Sequence, residues 1–146
     1  MSNSKKTIGI IVGVAAFIVA FSVAYFVSSN LFSSKDSSIV KEMKKAVVEI
    51  NGIAPMQVDE YTRLDSASVV EEDGFAYHYT LFHLTKDEVD LDTAVKYVRP
   101  EVIQRVRTNP DMKFFRDNEI TVFYKYYDKT GKYVTEIGVT PELYKQ

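Results

Sequence analysis

An uncharged apolar run from Thr7 to Val27, TIGIIVGVAAFIVAFSVAYFV, constrains this chain more than anything that follows it. At about 1.5 Å rise per residue it makes a helix of roughly 30 Å, the thickness of a bilayer's hydrocarbon core. Lys5 and Lys6 precede it, while the far side opens on the nearly neutral Ser28-Ser29-Asn30. The positive-inside rule then leaves residues 1–6 in the cytoplasm and carries everything beyond the run out of it. A cleaved signal peptide fits less well: its apolar core is about 7 to 15 residues and ends on small residues. This run is longer and ends on Tyr25, Phe26 and Val27. The expected organisation is a transmembrane signal anchor at 7–28, a Ser-rich linker at 29–38 and an exported domain at 39–146, in a single-pass membrane protein. Within the anchor, Gly9 and Gly13 form a G-xxx-G pair, and Ala16, Ala20 and Ala24 continue nearly the same face. Small residues let helices approach closely in lipid, and they are also common in spanning helices generally.

The exported part is one small domain with room for a single core. Setting aside Lys5 and Lys6 leaves 16 basic residues against all 20 acidic ones, a balance near −4. That argues against nucleic acid as a partner, because phosphate binding draws on clustered positive charge. The chain has no cysteine, which excludes disulfides, thiolate chemistry and a lipid-modified cysteine at the membrane exit. Stability has to come from packing, and ten tyrosines and nine phenylalanines supply the bulk for it.

From Ser37 or Ser38, either able to cap it, Ile39, Val40, Met43, Ala46, Val47 and Ile50 recur at helical spacing. Asn51-Gly52, followed by Pro55, is the expected stop. Strands are expected at about 60–70 and 75–84, joined by a turn through Glu71-Glu72-Asp73-Gly74. In the second, Phe75, Tyr77, Tyr79 and Leu81 share one face, which should be the face toward the helices. A second helix runs on Leu91, Ala94, Val95, Val98, Val102, Ile103 and Val106, with a kink or a fresh start at Pro100, and Asn109-Pro110 closes it. Residues 119–127 and 132–140 read as a hairpin around Asp128-Lys129-Thr130-Gly131, where the glycine supplies a positive φ. Pro141 to Tyr144 makes a closing helical turn. The expected fold is α+β, in the order α-ββ-α-ββ, with a four-stranded antiparallel sheet and both helices on one face.

Residues able to do chemistry are few. His78 and His83 stand five apart on one strand and so project to opposite faces, which suits structural or surface roles better than a shared metal. Asp87, Glu88, Asp90 and Asp92 lack the glycine and distant glutamate of a helix-loop-helix calcium site, and they suit the electropositive start of a helix. Arg99, Arg105, Arg107, Lys113 and Arg116 are interrupted by acids and read as a solvated face. No serine sits in a nucleophile-elbow sequence. Carboxylate pairs could still do acid-base work if the fold brought them together. No metal site and no cofactor are expected.

Two surfaces remain as binding candidates. Phe114, Phe115, Arg116 and Asp117 lie in a loop dense in aromatics and charge, the signature of either a partner surface or a hydrophobic plug completed by Met112. Tyr77, Tyr79, Tyr124 and Tyr126 could line a ligand pocket between sheet and helices, or fill the core outright. The functional expectation is a non-enzymatic envelope protein whose extracytoplasmic domain binds another envelope protein or itself, close to the bilayer. The alternative is a tethered domain for a small ligand or lipid.

Overall fold

The computed structural model of the chain describes residues 35–71 and 74–146. The apolar run, its Gly9, Gly13, Ala16 and Ala20 stripe and the linker up to residue 34 lie outside these residues, as do Glu72 and Asp73. No helix among the described residues is long and apolar enough to cross a membrane.

Helix α1 spans Lys35–Ile53. It buries Met43, Ala46 and Ile50, spaced three and four apart, and leaves Lys41, Lys44 and Lys45 in solvent. The helix runs through the expected stop at Asn51-Gly52, its ladder continuing to the Ala54 N–H, which donates to the Ile50 carbonyl at 2.9 Å, while the Asn51 side chain is engaged elsewhere. Its amide accepts from the Ala67 N–H at 2.7 Å and donates to the Ala67 carbonyl at 3.1 Å, so one side chain stands in for a neighbouring strand.

The sheet corrects the expected topology. It has five strands in the order β1 (Met56–Gln57), β2 (Thr62–Val70), β3 (Gly74–Leu81), β4 (Thr121–Tyr127) and β5 (Tyr133–Val139). β1–β2, β2–β3 and β4–β5 are antiparallel, but the central β3–β4 pair is parallel. A parallel pair needs a long crossover, and helix α2 (Leu91–Thr108) with its flanking turns supplies one. Two hairpins recognised locally say nothing about how they meet. β1 is only two residues long, too short to leave an alternating pattern.

The inner face carries Phe75, Tyr77 and Tyr79 of β3, in register with Val122, Tyr124 and Tyr126 of β4. Tyr77 stacks on Tyr124 with ring centroids 5.7 Å apart, and Tyr79 on Tyr126 at 5.8 Å. α1 lies against β2 and α2 against β5, and both contribute to one core. α2 passes through Pro100 without a break and buries Ala94, Val98, Val102 and Val106, a stripe at every fourth residue. Asp90 caps it, accepting from the Thr93 N–H and hydroxyl, as an acid at a helix start should.

Two polar anchors close the ends. Asp128 is buried, with one carboxylate oxygen accepting from the Thr130 and Lys132 N–H groups and the Thr130 hydroxyl, and the other from the Lys86 N–H. These donors, the Thr130 hydroxyl foremost, hold its carboxyl well below the usual range. Gly131 carries the expected positive φ in that turn. At the other end Arg116 donates to the Val106 and Asn109 carbonyls, both at 2.7 Å. The Tyr144 hydroxyl donates to the carbonyls of Phe115 and Ile120 from the closing helical turn Pro141–Tyr144.

Candidate functional site

Alternation along the strands puts a second set of residues on the sheet's other face, which contributes nothing to the helix-packed core. The relief of that face is set by two glycines. Gly74 of β3 and Gly138 of β5 flank Phe123 of β4, and a Cβ on either would stand 3.0 to 3.2 Å from its ring. The ring therefore lies down across both neighbouring backbones, half-buried and outside the helix-packed core formed by the described residues. Gly74 is fixed by this close approach and by the Val70 carbonyl 2.6 Å from its would-be Cβ, and Glu71 at the end of β2 carries a positive φ.

Beside the ring the face is polar and cross-linked. Ser68 Oγ lies 2.9 Å from His78 Nε2, and the Tyr127 hydroxyl lies 3.2 Å from His78 Nδ1, a line that crosses from β2 through β3 to β4. Asp65 receives Arg63 Nε at 2.5 Å and the Thr80 hydroxyl at 2.5 Å, and the Arg63 guanidinium lies over the Phe82 ring. Lys125 and Glu136 pair across β4 and β5 at 3.3 Å. Partial burial, then the neighbouring Lys125 ammonium, lower the His78 pKa, against the raising influence of Asp65 and Glu136.

A serine and an imidazole at 2.9 Å meet the first distance condition for an activated nucleophile. The remaining conditions fail. A tyrosine rather than a carboxylate faces Nδ1, and Lys125 adds repulsion, so the imidazolium that general-base catalysis must form is destabilised. Among the described residues no three of His, Asp and Glu converge as a metal site.

The residues singled out from the sequence fall elsewhere. Phe114 and Phe115 are 7% and 1% exposed, so they plug the core against Phe75 and present no aromatic pair to a partner. Arg116 is turned inward to main-chain carbonyls, and Asp117 is exposed and paired with Lys113. The burial has a plain cause: the helical turn Lys113–Asp117 directs two adjacent aromatics into the core, Phe115 against Phe75 of β3. Tyr77, Tyr79, Tyr124 and Tyr126 do come together, but as core filling. A cavity of about 20 Å³ lies between α2 and the sheet, room for about one water, and of the four only Tyr126 lines it. Burial drives all four phenols up in pKa, and the hydroxyls of Tyr77, Tyr124 and Tyr126 have no hydrogen-bond partner. His83 lies past the end of β3, exposed, with Tyr61 edge-on at 5.8 Å. The Ser68–His78–Tyr127 line escaped the sequence because its members lie 10 and 49 residues apart and meet only through strand register. Period-two alternation does place His78, Lys125 and Tyr127 opposite the tyrosine face, and that was the available signal.

An α+β domain of this kind, with helices on one sheet face, has solved counterparts. A candidate secreted protein of Pseudomonas aeruginosa (PA3611) superposes with a TM-score of 0.63 at 17% identity, over 77% of this chain and 98% of that one. The type 2 secretion system pilotin EpsS of Vibrio vulnificus gives 0.60 at 8% identity, over 77% and 96%. The type II secretion system pilotin AspS of Vibrio cholerae gives 0.55 at 10% identity, over 75% and 94%. At these identities the likeness is one of fold. No curated protein sequence matches. Residues 37–135 match the family described as Domain of unknown function (DUF8479), and the chain belongs to that family.

Proposed function

We propose that this chain is a non-enzymatic, membrane-anchored envelope protein whose extracytoplasmic domain docks a protein partner during envelope assembly. The observation that carries the reading is the fold. The domain matches nearly the whole length of two secretion-system pilotins, and it keeps its helices on one side of the sheet. The other side offers a flat aromatic floor at Phe123 and a polar network whose side chains are already held by one another. Such a surface loses little side-chain freedom on binding, which is what a preordered docking face requires. The apolar run at 7–27 serves as the anchor, with the N-terminus in the cytoplasm, and keeps the domain within reach of other envelope components.

The test is extraction of tagged full-length protein from its native membrane in mild detergent, followed by sizing and mass spectrometry. A stoichiometric protein partner is expected, and Phe123→Ala, which removes the aromatic floor of that face, should cut its recovery by about tenfold while the circular dichroism spectrum stays unchanged. Protein that emerges alone, or partner recovery indifferent to that variant, would overturn the reading. The anchor is checked separately: the protein should resist alkaline extraction, and a protease added outside the cytoplasmic membrane should digest the domain.

A further inference from the structure

The two edges of the sheet are treated differently. On the β2 side, β1 pairs with Arg63 and Leu64, and farther along the Asn51 amide occupies both main-chain groups of Ala67. On the β5 side nothing comparable occurs among the described residues. β5 pairs with β4 alone, and among the described residues no hydrogen bond beyond that ladder reaches a main-chain group of residues 133–139. Edges that must stay free carry proline, an inward charge or a covering element, because unpaired N–H and C=O groups otherwise template another strand. The sequence of β5, Tyr-Val-Thr-Glu-Ile-Gly-Val, has no proline and no lysine and is rich in β-branched residues.

We infer that the outer edge of β5 receives an extended segment of the partner protein as a sixth strand. The inference rests on the docking role proposed above and specifies how docking is made. Main-chain hydrogen bonds supply the affinity, and the side chains flanking them supply the choice of segment. On the uncovered face the cross-strand row Lys125–Glu136 ends at the edge with an exposed carboxylate. The fitting segment carries a lysine or arginine in the next place of that row, since opposite charges side by side across strands are favourable. A second copy of this chain fits badly. Antiparallel pairing of two β5 strands about their midpoint sets Glu136 directly against its own equivalent, and like charges directly opposite are destabilising.

Hydrogen exchange on the full-length protein in detergent, alone and in its co-purified complex, tests this. Alternate residues of a seven-residue edge strand point outward, so about three amides within 133–139 should exchange at least about tenfold more slowly in the complex. Glu136→Lys, folded by circular dichroism and thermal melting, should reduce complex recovery by about tenfold. A complex that forms with unchanged exchange in β5 overturns the edge inference and leaves docking by the sheet face standing. Protection of β5 in a homodimer overturns the choice of partner. Absence of any complex removes both readings together.

Discussion

The two faces of this sheet handle polar atoms in opposite ways. On the helix-covered face the hydroxyls of Tyr77, Tyr124 and Tyr126 are buried without a partner, while their rings stack and fill. On the uncovered face Ser68, His78, Thr80, Lys125 and Tyr127 all have one. A buried hydroxyl left unpaired forfeits about 1–3 kcal/mol, so the inner tyrosines are kept for their bulk and not for their oxygens. The outer residues gain little from burial and are held instead by one another. The first face sets stability, and the second sets what the molecule presents.

The largest expected contrast comes from removing one aromatic from each face. Phe115→Ala empties a site that is 1% exposed and packed on Phe75, and should lower unfolding free energy by about 3–5 kcal/mol. Phe123→Ala removes a half-buried ring lying on Gly74 and Gly138 and should cost about 1 kcal/mol. Urea denaturation of the two variants measures both. Equal losses would mean that the uncovered face carries as much of the core as the covered one, and the contrast would collapse.

A smaller but sharper contrast follows from deleting a hydroxyl. Tyr124→Phe removes an orphaned oxygen and should leave stability unchanged or raise it by up to about 1 kcal/mol. Tyr127→Phe takes from His78 Nδ1 its partner and should lower stability by about 1 kcal/mol. The same chemical change then acts with opposite sign on two residues three apart on one strand. A loss at Tyr124 would show that its hydroxyl has a partner after all, such as an internal water.

How much of this could be read in advance depended on range. The amphipathic stripe of Met43, Ala46 and Ile50, the tyrosine face of β3 and the Asp128–Gly131 turn are local patterns, and period and turn chemistry expose them directly. The parallel β3–β4 pairing, the edge cover by Asn51 and the Ser68–His78–Tyr127 line are decided by which strands become neighbours, and no window of sequence contains that choice. The Phe114–Phe115 pair shows the same limit in miniature. Two adjacent aromatics in a polar loop leave one signature whether they face solvent or core, and here the fold of residues 113–117 turned them inward.

The smallest expected effect is also the one that tests the outer network most directly. Partial burial and Lys125 disfavour the charged form of His78, and Asp65 and Glu136 only partly offset them. Its folded-state pKa therefore lies below the unfolded value of about 6.5. The unfolded chain then binds the extra proton first, so the stabilising contribution is intact above about pH 6.5 and is lost as pH falls toward the folded value. Because the imidazole is only partly buried, the loss should be smaller than any of the changes above. His78→Gln keeps hydrogen-bonding groups toward Ser68 and Tyr127 but cannot titrate, and its stability should be flatter between pH 7.5 and 5.5. A proton NMR titration gives the midpoint itself. A midpoint above that of the unfolded chain would mean that Asp65 and Glu136, not burial and Lys125, govern this face, and its charge in acid would have the opposite sense.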